Sequence, residues 1–487
     1  MNQFTDPTNL HRTAKYFMDN GRAATPEAAV DLLHTFGLAI QLGPEAAESA
    51  AHQTALLTLV NVASRTLLGG IEIVGLPEAP CRSRLDPTAR SLEEAVRALG
   101  GRPVYDQTPG WPCAVIGTPR QLTSDAPSWR LTWEGWRGGV VPLRDDTHLV
   151  DDNLCGLAPA LAAAVCAAEA FAFHAADHPL AGRRGSGMSL WRPGACWYAP
   201  DPTEPPLAFL PSQLWIIGLG NLGQAFSWLL ACLPFSFTAR PVLLLQDFDS
   251  MTPANVSTSL LTSERDEHRK KTRVVADWLE CRGFNTIIEE RRFGKWTQRA
   301  NDEPAAALCG VDNALARASL ESAGFGLIVE AGLGAGPQGF RNMSMHTFPG
   351  SRTAAEIWSN VATLSPSHVE EMPAYQVLRQ RGRDKCGLTQ LASRTVAVPF
   401  VSLTAGCLVI SEVLRRLHGG LPLEVASLSL LSLDDIEAVS SRESPYSFGH
   451  VPVETYTRAV QHGHCPLKGA DLAATHPMKV IPLPASA

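Results

Sequence analysis

Between Leu214 and Arg317 the chain carries a Gly-rich turn, GLGNLG (Gly218 to Gly223), an Asp-x-Asp (Asp247, Asp249), then Asn255, Lys271 and the set Asp312, Asn313, Arg317. Glycines let backbone come close to phosphate oxygens, and a helix starting there turns its free N–H groups toward negative charge. A carboxylate at a strand end, as at Asp247, can accept hydrogen bonds from a ribose hydroxyl. Those two features serve NAD and ATP equally well. Lys271 and Asp312 separate them: a lysine that neutralises phosphate oxygens and a carboxylate that holds magnesium supply charge compensation that nucleotidyl transfer needs and hydride transfer does not. Each residue also has a plain reading. The glycines alone could make a ligand-free strand-to-helix turn, Lys271 could be a solvated lysine in the charge-rich ERDEHRKKTRVVADWL, and Asp312 a strand end or helix cap.

The elements around these residues read as one βαβ unit. LWIIG is a short continuous apolar strand, QAFSWLLACL an apolar-faced helix and VLLLQD a second buried strand, the pattern of parallel strands inside a doubly wound sheet. The first half reads as a damaged copy. LAIQLG (38–43) stands for the first strand, PEAAESAAHQTALLTLVNVASRTLL for the helix, GIEIVG (70–75) for the second strand and CAVIG (113–117) for a later one. Where the second half has GLGNLG the first has GPEAAE, which no longer provides for close approach to a phosphate. Both halves then close with helices of small and apolar residues, GLAPALAAAVCAAEAF and VSLTAGCLVISEVLRRL. The expected division is 1–190, an inactive adenylation-like domain; 191–212, a Pro-rich linker; 213–420, an active domain with a cysteine-bearing segment at about 340–395; and 421–487, a strand-containing extension and tail. Two unrelated α/β domains are the alternative.

These motifs resemble the ThiF, MoeB and ubiquitin-activating-enzyme superfamily. Its pattern places an Asn six residues after the second Asp, a Lys sixteen after that Asn, and an Arg four after the Asp-Asn pair, as in Asp249, Asn255, Lys271, Asn313 and Arg317. GLIVEAGLGAGPQG resembles the strand that follows, and the match runs from about Leu214 to Gly336. The resemblance implies an α/β fold with two Rossmann-like ThiF-type domains. It implies that Gly218, Gly220, Asn221, Gly223, Asp247, Asp249, Asn255, Lys271, Asp312 and Asn313 form the ATP site. Asn221 and Asp247 would lie at the adenosine or ribose, Asn255 and Lys271 at the phosphates, and Asp312 at magnesium. One departure stands out. The family follows its Asn with Leu-x-Arg-Gln, whereas Asn255 is followed by Val256, Ser257, Thr258 and Ser259. Arg265, Arg269 or Arg273 are the candidates to replace that arginine. The family also brings in a second arginine from another domain or subunit, for which Arg12 and Arg65 are candidates.

The implied activity is adenylation of the C-terminal glycine of a ubiquitin-like protein, followed by thioester formation on an enzyme cysteine. Cys386, in RQRGRDKCG, has Arg381, Arg383 and Lys385 nearby to favour a thiolate. Cys232, Cys281, Cys309 and Cys407 read as core or helix residues. His462, His464 and Cys465 form a short cluster without a second ligand pair, and no Cys-x-x-Cys pair is present, so no structural zinc is expected. The layout of one inactive and one active half is most similar to a bacterial activating enzyme of a Bil-type antiphage conjugation operon, with a dedicated conjugating enzyme as partner. Alternatives are a sulfur-carrier adenylyltransferase without a thioester, adenylation of a small molecule, peptide or RNA base, a non-catalytic nucleotide-binding scaffold, and an NAD dehydrogenase.

Composition bounds these readings. The 487 residues suit two domains of roughly 200 each, and 45% hydrophobic content can fill two cores. Charged residues make up 18%, below the roughly 25% usual for soluble domains, which leaves room for a covered surface and for homodimerisation. The net charge is −7 with no Lys or Arg run, so no nucleic-acid partner is expected. The N-terminal residues lack the profile of a signal peptide, and the apolar stretch 156–176 is read as a buried core helix; a cytoplasmic protein without a membrane partner is expected.

Overall fold

The computed structural model describes residues 9–453 apart from 121–123, 125, 146, 237, 360–370, 382–387, 389–390, 393–394 and 443–444. In the first half, strands β1 (Gly37–Leu42), β2 (Gly70–Val74), β3 (Gly101–Val104), β4 (Cys113–Ile116), β5 (Ser128–Glu134), β6 (Arg137–Pro142) and β7 (Ser186–Ser189) form a seven-stranded sheet of order β3-β2-β1-β4-β5-β6-β7. The first five strands are parallel; β6 and β7 are antiparallel. Its helices are α1 (Ala14–Asp19), α2 (Pro26–His34), α3 (Ala50–Ala63), α4 (Leu92–Ala98) and α5 (Leu157–Ala175).

The second half repeats the plan. Strands β9 (Gln213–Ile217), β10 (Val242–Gln246), β11 (Asn285–Glu289), β12 (Ala306–Cys309), β13 (Leu327–Leu333), β14 (Asn342–Phe348), β15 (Leu423–Ser429) and β16 (Ser432–Ser440) run in the order β11-β10-β9-β12-β13-β14-β15-β16. Again the first five are parallel and the rest antiparallel. Helices α6 (Asn221–Cys232), α7 (Pro253–Val256), α8 (Lys271–Glu280), α9 (Ala314–Ala318), α10 (Gly336–Gly339), α11 (Ala354–Trp358), α12 (Pro373–Gln380) and α13 (Pro399–Leu417) complete it. A two-stranded ladder joins β8 (Phe209–Pro211) to β17 (His450–Pro452).

One boundary differs from the expected ones, and the linker takes the second of its two expected forms, an extended linker or a surface crossing. Strands β15 and β16 belong to the second sheet, so a division at residue 420 cuts through one hydrogen-bonded layer. The Pro-rich stretch 191–212 is a packed surface crossing: Trp136 Nε1 donates to Pro205 O at 2.8 Å, and Trp136 N donates to Glu204 Oε1 at 2.9 Å.

The halves share one core. Helices α5 and α13 are 19 residues each and pack against each other, with the Phe171 and Phe400 rings 5.7 Å apart. Trp228 of α6 donates its indole N–H to Thr58 of α3 at 3.1 Å. Close approach is built in at Gly156, where a Cβ would stand 1.9 Å from Cys232 O, and at Gly406, where it would stand 2.7 Å from Leu229 Cδ1. Helix α5 is long and apolar enough to cross a membrane, yet most of it lies buried inside the protein, in line with its reading as a core helix.

Candidate active site

Strand β9 is the switch point of the second sheet: chain order runs away on one side through β10 and β11 and on the other through β12 and β13. Ligand crevices of open α/β sheets lie at such points, beyond the strand C-termini. The Gly-rich turn occupies this place. Gly218 has φ +84°, and its N–H donates to Gln246 O at 2.9 Å. A Cβ on Gly223 would stand 1.9 Å from Gly218 O, so only glycine closes the turn there. A Cβ on Gly220 would meet no protein atom within 4 Å. Gly220 is the N-cap of α6 and no side chain caps that helix, which leaves first-turn N–H groups facing an open crevice.

Asp247 ties this turn to the next loop. One carboxylate oxygen accepts Leu219 N–H at 2.7 Å and the other accepts Asp249 N–H at 2.8 Å. Lys271 is the first residue of α8, and its Nζ lies 2.8 Å from Asp249 Oδ2 and 4.0 Å from Asp247 Oδ2. The plain reading of Lys271 as a solvated surface lysine fails, since its side chain is only 12% exposed. Sequence reasoning missed Phe248 and Arg292: the exposed Phe248 ring sits between the two aspartates, with the Arg292 guanidinium 5.3 Å from its centroid. An aromatic between two such aspartates was the available signal.

Several predicted site residues hold scaffold. Asn255 accepts the N–H and hydroxyl of Thr252, a capping box for α7, at 2.9 and 3.1 Å. Asn221 accepts Ser402 Oγ–H at 2.5 Å, and its buried Nδ2 has no partner among the described residues. Asn313 caps α9 by accepting Ala316 N–H at 3.0 Å. Arg317 is buried, donates to Val311 O and Ala331 O at 2.7 and 3.1 Å, and lies 3.5 Å from Glu330. Asp312, three residues past β12, is exposed and has no hydrogen bond or ion pair among the described residues. Such a carboxylate suits magnesium, which takes one or two carboxylates and keeps several waters. No group of three or more His, Cys, Asp or Glu able to hold a metal exists among the described residues.

The arginine candidates divide clearly. Arg269 pairs with Asp266 and Asp277, and Arg273 with Glu290, leaving Arg265 exposed without an ion pair among the described residues. Arg65 is spent on scaffold: it donates to Val256 O, to Leu260 O at 3.0 Å and to Thr262 O at 3.1 Å, clamping the loop that departs from the family pattern. Burial brings the Arg65 pKa down to about 10. Arg12 reaches the same loop from the N-terminal segment, donating N–H to Ser257 Oγ at 3.2 Å and Nε–H to Thr395 O at 3.0 Å.

Cys386 lies outside the described residues, as do His462, His464 and Cys465. Arg381, one of its expected cationic neighbours, pairs with Glu27 at 2.6 Å. Burial pushes the Cys309 thiol up to about 12 and raises Cys232 and Cys407 further, so these are packing residues. Cys281 caps α8 and is disulfide-bonded.

The family models and the curated relative agree on one family. The model of the BilD N-terminal domain matches residues 37–190 and that of the BilD C-terminal domain residues 210–420. A bacterial E1-like protein BilD from Collimonas sp. (strain OK412) is 58% identical over 463 residues, spanning 95% of this chain and 99% of the relative. Among solved structures, E. coli MccB with MccA-N7isoASN has 16% identity and a TM-score of 0.32, over 48% of this chain and 65% of MccB. The E. coli tRNA N6-threonylcarbamoyladenosine dehydratase TcdA has 14% identity and a TM-score of 0.27, over 42% of this chain and 85% of TcdA. The assignment rests on the domain and sequence matches alone: the chain belongs to the BilD family of bacterial E1-like proteins.

Proposed function

We propose that the second half binds ATP in the crevice above Gly218–Gly223 and adenylates the C-terminal glycine of a ubiquitin-like protein. The observation that carries this reading is the Asp247 carboxylate holding the glycine turn and Asp249 together beside Lys271, under a helix start left open at Gly220. The free N–H groups of α6 and the Lys271 ammonium bind phosphate oxygens and stabilise the charge that develops on them. Asp312 would hold magnesium, which would supply charge neutralisation for the pyrophosphate. A carboxylate oxygen of the modifier attacks the α-phosphorus, the bond to the bridging oxygen breaks and pyrophosphate leaves. The Cys386 thiolate then attacks the acyl carbon, releasing AMP and leaving a thioester for transfer to a conjugating enzyme.

In this reading the first half carries no nucleotide, Arg12 supplies the arginine that crosses between halves, and the pathway serves antiphage defence in the cytoplasm. The test is incubation with ATP, magnesium and a ubiquitin-like protein ending in an exposed glycine, followed by reducing and non-reducing gels. A reducible adduct that disappears in Cys386→Ala while pyrophosphate exchange persists supports the whole scheme. Exchange without an adduct moves the reading to a sulfur-carrier adenylating enzyme, and neither signal overturns it.

A further inference from the structure

Gln224, the fourth residue of α6, is completely buried, and no step of the proposed reaction uses it. Its amide nitrogen donates to Leu219 O at 3.2 Å and to Thr262 Oγ1 at 3.0 Å, and its amide oxygen accepts Leu261 N–H at 2.8 Å. The backbone partners fix which way the amide faces, since the Leu219 carbonyl needs a donor and the Leu261 N–H an acceptor. A buried amide is costly unless both its ends are met, so Gln224 ties the two backbones it touches into one arrangement.

One of these backbones is the glycine turn. A trans peptide is planar, with its C=O and N–H on opposite sides. Holding Leu219 O on Gln224 therefore turns the Gly220 N–H away from the buried side, and that N–H has no hydrogen-bond partner among the described residues. Asp247 fixes the preceding peptide by accepting Leu219 N–H at 2.7 Å. The other backbone is the loop after α7, and the first half holds it from behind. Asn61 of α3 donates to Leu260 O at 3.1 Å, and Arg65, two residues past that helix, donates to Thr262 O at 3.1 Å.

We propose that Gln224 is a positioning residue for ATP: it aims the Gly220 N–H at a phosphate oxygen, and it makes that aim depend on Asn61 and Arg65 of the first half. The inference rests on the adenylation reading of this crevice and adds to it how the half without a nucleotide bears on the half that binds one. Gln224 itself never touches the nucleotide. A glutamine that only filled the core would affect recognition of phosphate and of adenosine alike, whereas one that aims a phosphate-binding N–H affects the phosphates alone.

The test is calorimetric titration of the full chain with a non-hydrolysable ATP analogue and magnesium, with adenosine affinity read by its displacement of the analogue. Gln224→Met keeps the length of the side chain and removes both polar ends. It is expected to weaken analogue binding about five- to tenfold and adenosine binding less than about twofold. Thr262→Val removes one partner of the amide, guards against a Gln224→Met chain that fails to fold, and is expected to weaken the analogue about two- to threefold with adenosine again unchanged. Arg65→Met alone is expected to weaken the analogue about threefold and to add nothing in the Gln224→Met background, because its effect passes through the amide. Unchanged analogue affinity in the Gln224 and Thr262 variants, or equal losses for analogue and adenosine, overturns the positioning role. Losses that multiply in the double variant overturn the dependence on the first half. An unaltered chain that binds the analogue leaves the adenylation reading standing whatever the variants do, and one that does not bind it sinks both.

Discussion

Two sheets in this chain follow the same strand order, but the crevice at the end of each first strand is built differently. In the second half Gly220 leaves the start of α6 open, and Asp247 and Lys271 stand beside it. In the first half β1 leads into a short 3-10 turn at Pro44–Ala47, and Glu45 folds back across the crevice. Its Oε2 accepts Thr118 N–H at 3.0 Å and lies 2.1 Å and 2.5 Å from where Cβ atoms on Gly43 and Gly117 would stand. Burial pushes the Glu45 carboxyl up, but hydrogen bonds from Thr118 and from its own backbone N–H, together with the nearby His52, hold the group below the usual range. A carboxylate thus sits where a phosphate would have to go, and β2 ends in Val74 and Gly75 with no acidic residue for a ribose. One strand order thus keeps its interface-forming helices in both copies while the turn after the first strand differs, open at Gly220 in one and occupied by Glu45 in the other.

The largest expected break in this comparison is catalytic. Lys271→Ala lowers modifier-dependent pyrophosphate exchange by about 10²–10³-fold, as loss of a preorganised charge partner does, whereas Glu45→Ala changes it less than about twofold. Exchange rates at saturating ATP check both. Next comes the shared core: Phe400→Ala costs about 3–5 kcal/mol of unfolding free energy, and because Phe400 packs on Phe171 the two halves lose stability together in one denaturant transition. Arg65→Met leaves the carbonyls of Val256 and Thr262 without their donor, with Leu260 O still held by Asn61, and costs about 2–3 kcal/mol, measured by the same unfolding. Arg12→Ala lowers exchange and leaves the unfolding midpoint nearly unchanged, which separates its role from that of Arg65.

The smallest effect is a pH dependence confined to the first half. Burial raises the Asp151 carboxyl to about 6, against hydrogen bonds from Thr132 and Trp133 that pull it down. A raised folded-state pKa gives stability that is present in full below the unfolded value near 3.8 and is lost as pH rises through about 6. Asp151→Asn is expected to flatten the Tm profile between those values without moving the pH profile of pyrophosphate exchange.

Much of this was legible in the sequence because it rests on local pattern. LWIIG, VLLLQD and CAVIG are short continuous apolar runs, GIEIVG is one broken only by Glu72, and each is a parallel strand. The residues proposed for the nucleotide crevice were legible as types at spacings, and the structure brings Gly218, Asp247, Asp249 and Lys271 together. What escaped depends on which atom a side chain finds. Nothing in the sequence pattern distinguishes an Asn255 that caps α7 from one that binds phosphate, or an Arg65 that clamps carbonyls from one that crosses to a nucleotide. Glu45 filling its own crevice needs the Thr118 N–H, 73 residues away, to be in place. The β14–β16 extension was half seen, since EVASLSLLSL reads as strand but its pairing with Asn342–Phe348 follows no local rule.

The most direct test of the central claim, one open and one self-filled crevice, is calorimetric titration of the whole chain with a non-hydrolysable ATP analogue and magnesium. Gly220→Trp is the decisive variant, because a Cβ there meets no protein atom within 4 Å and so starts the indole into the open crevice. The account predicts one site per chain, abolished by Gly220→Trp and unaffected by Glu45→Gln. Two sites per chain, or binding that survives Gly220→Trp, would contradict it.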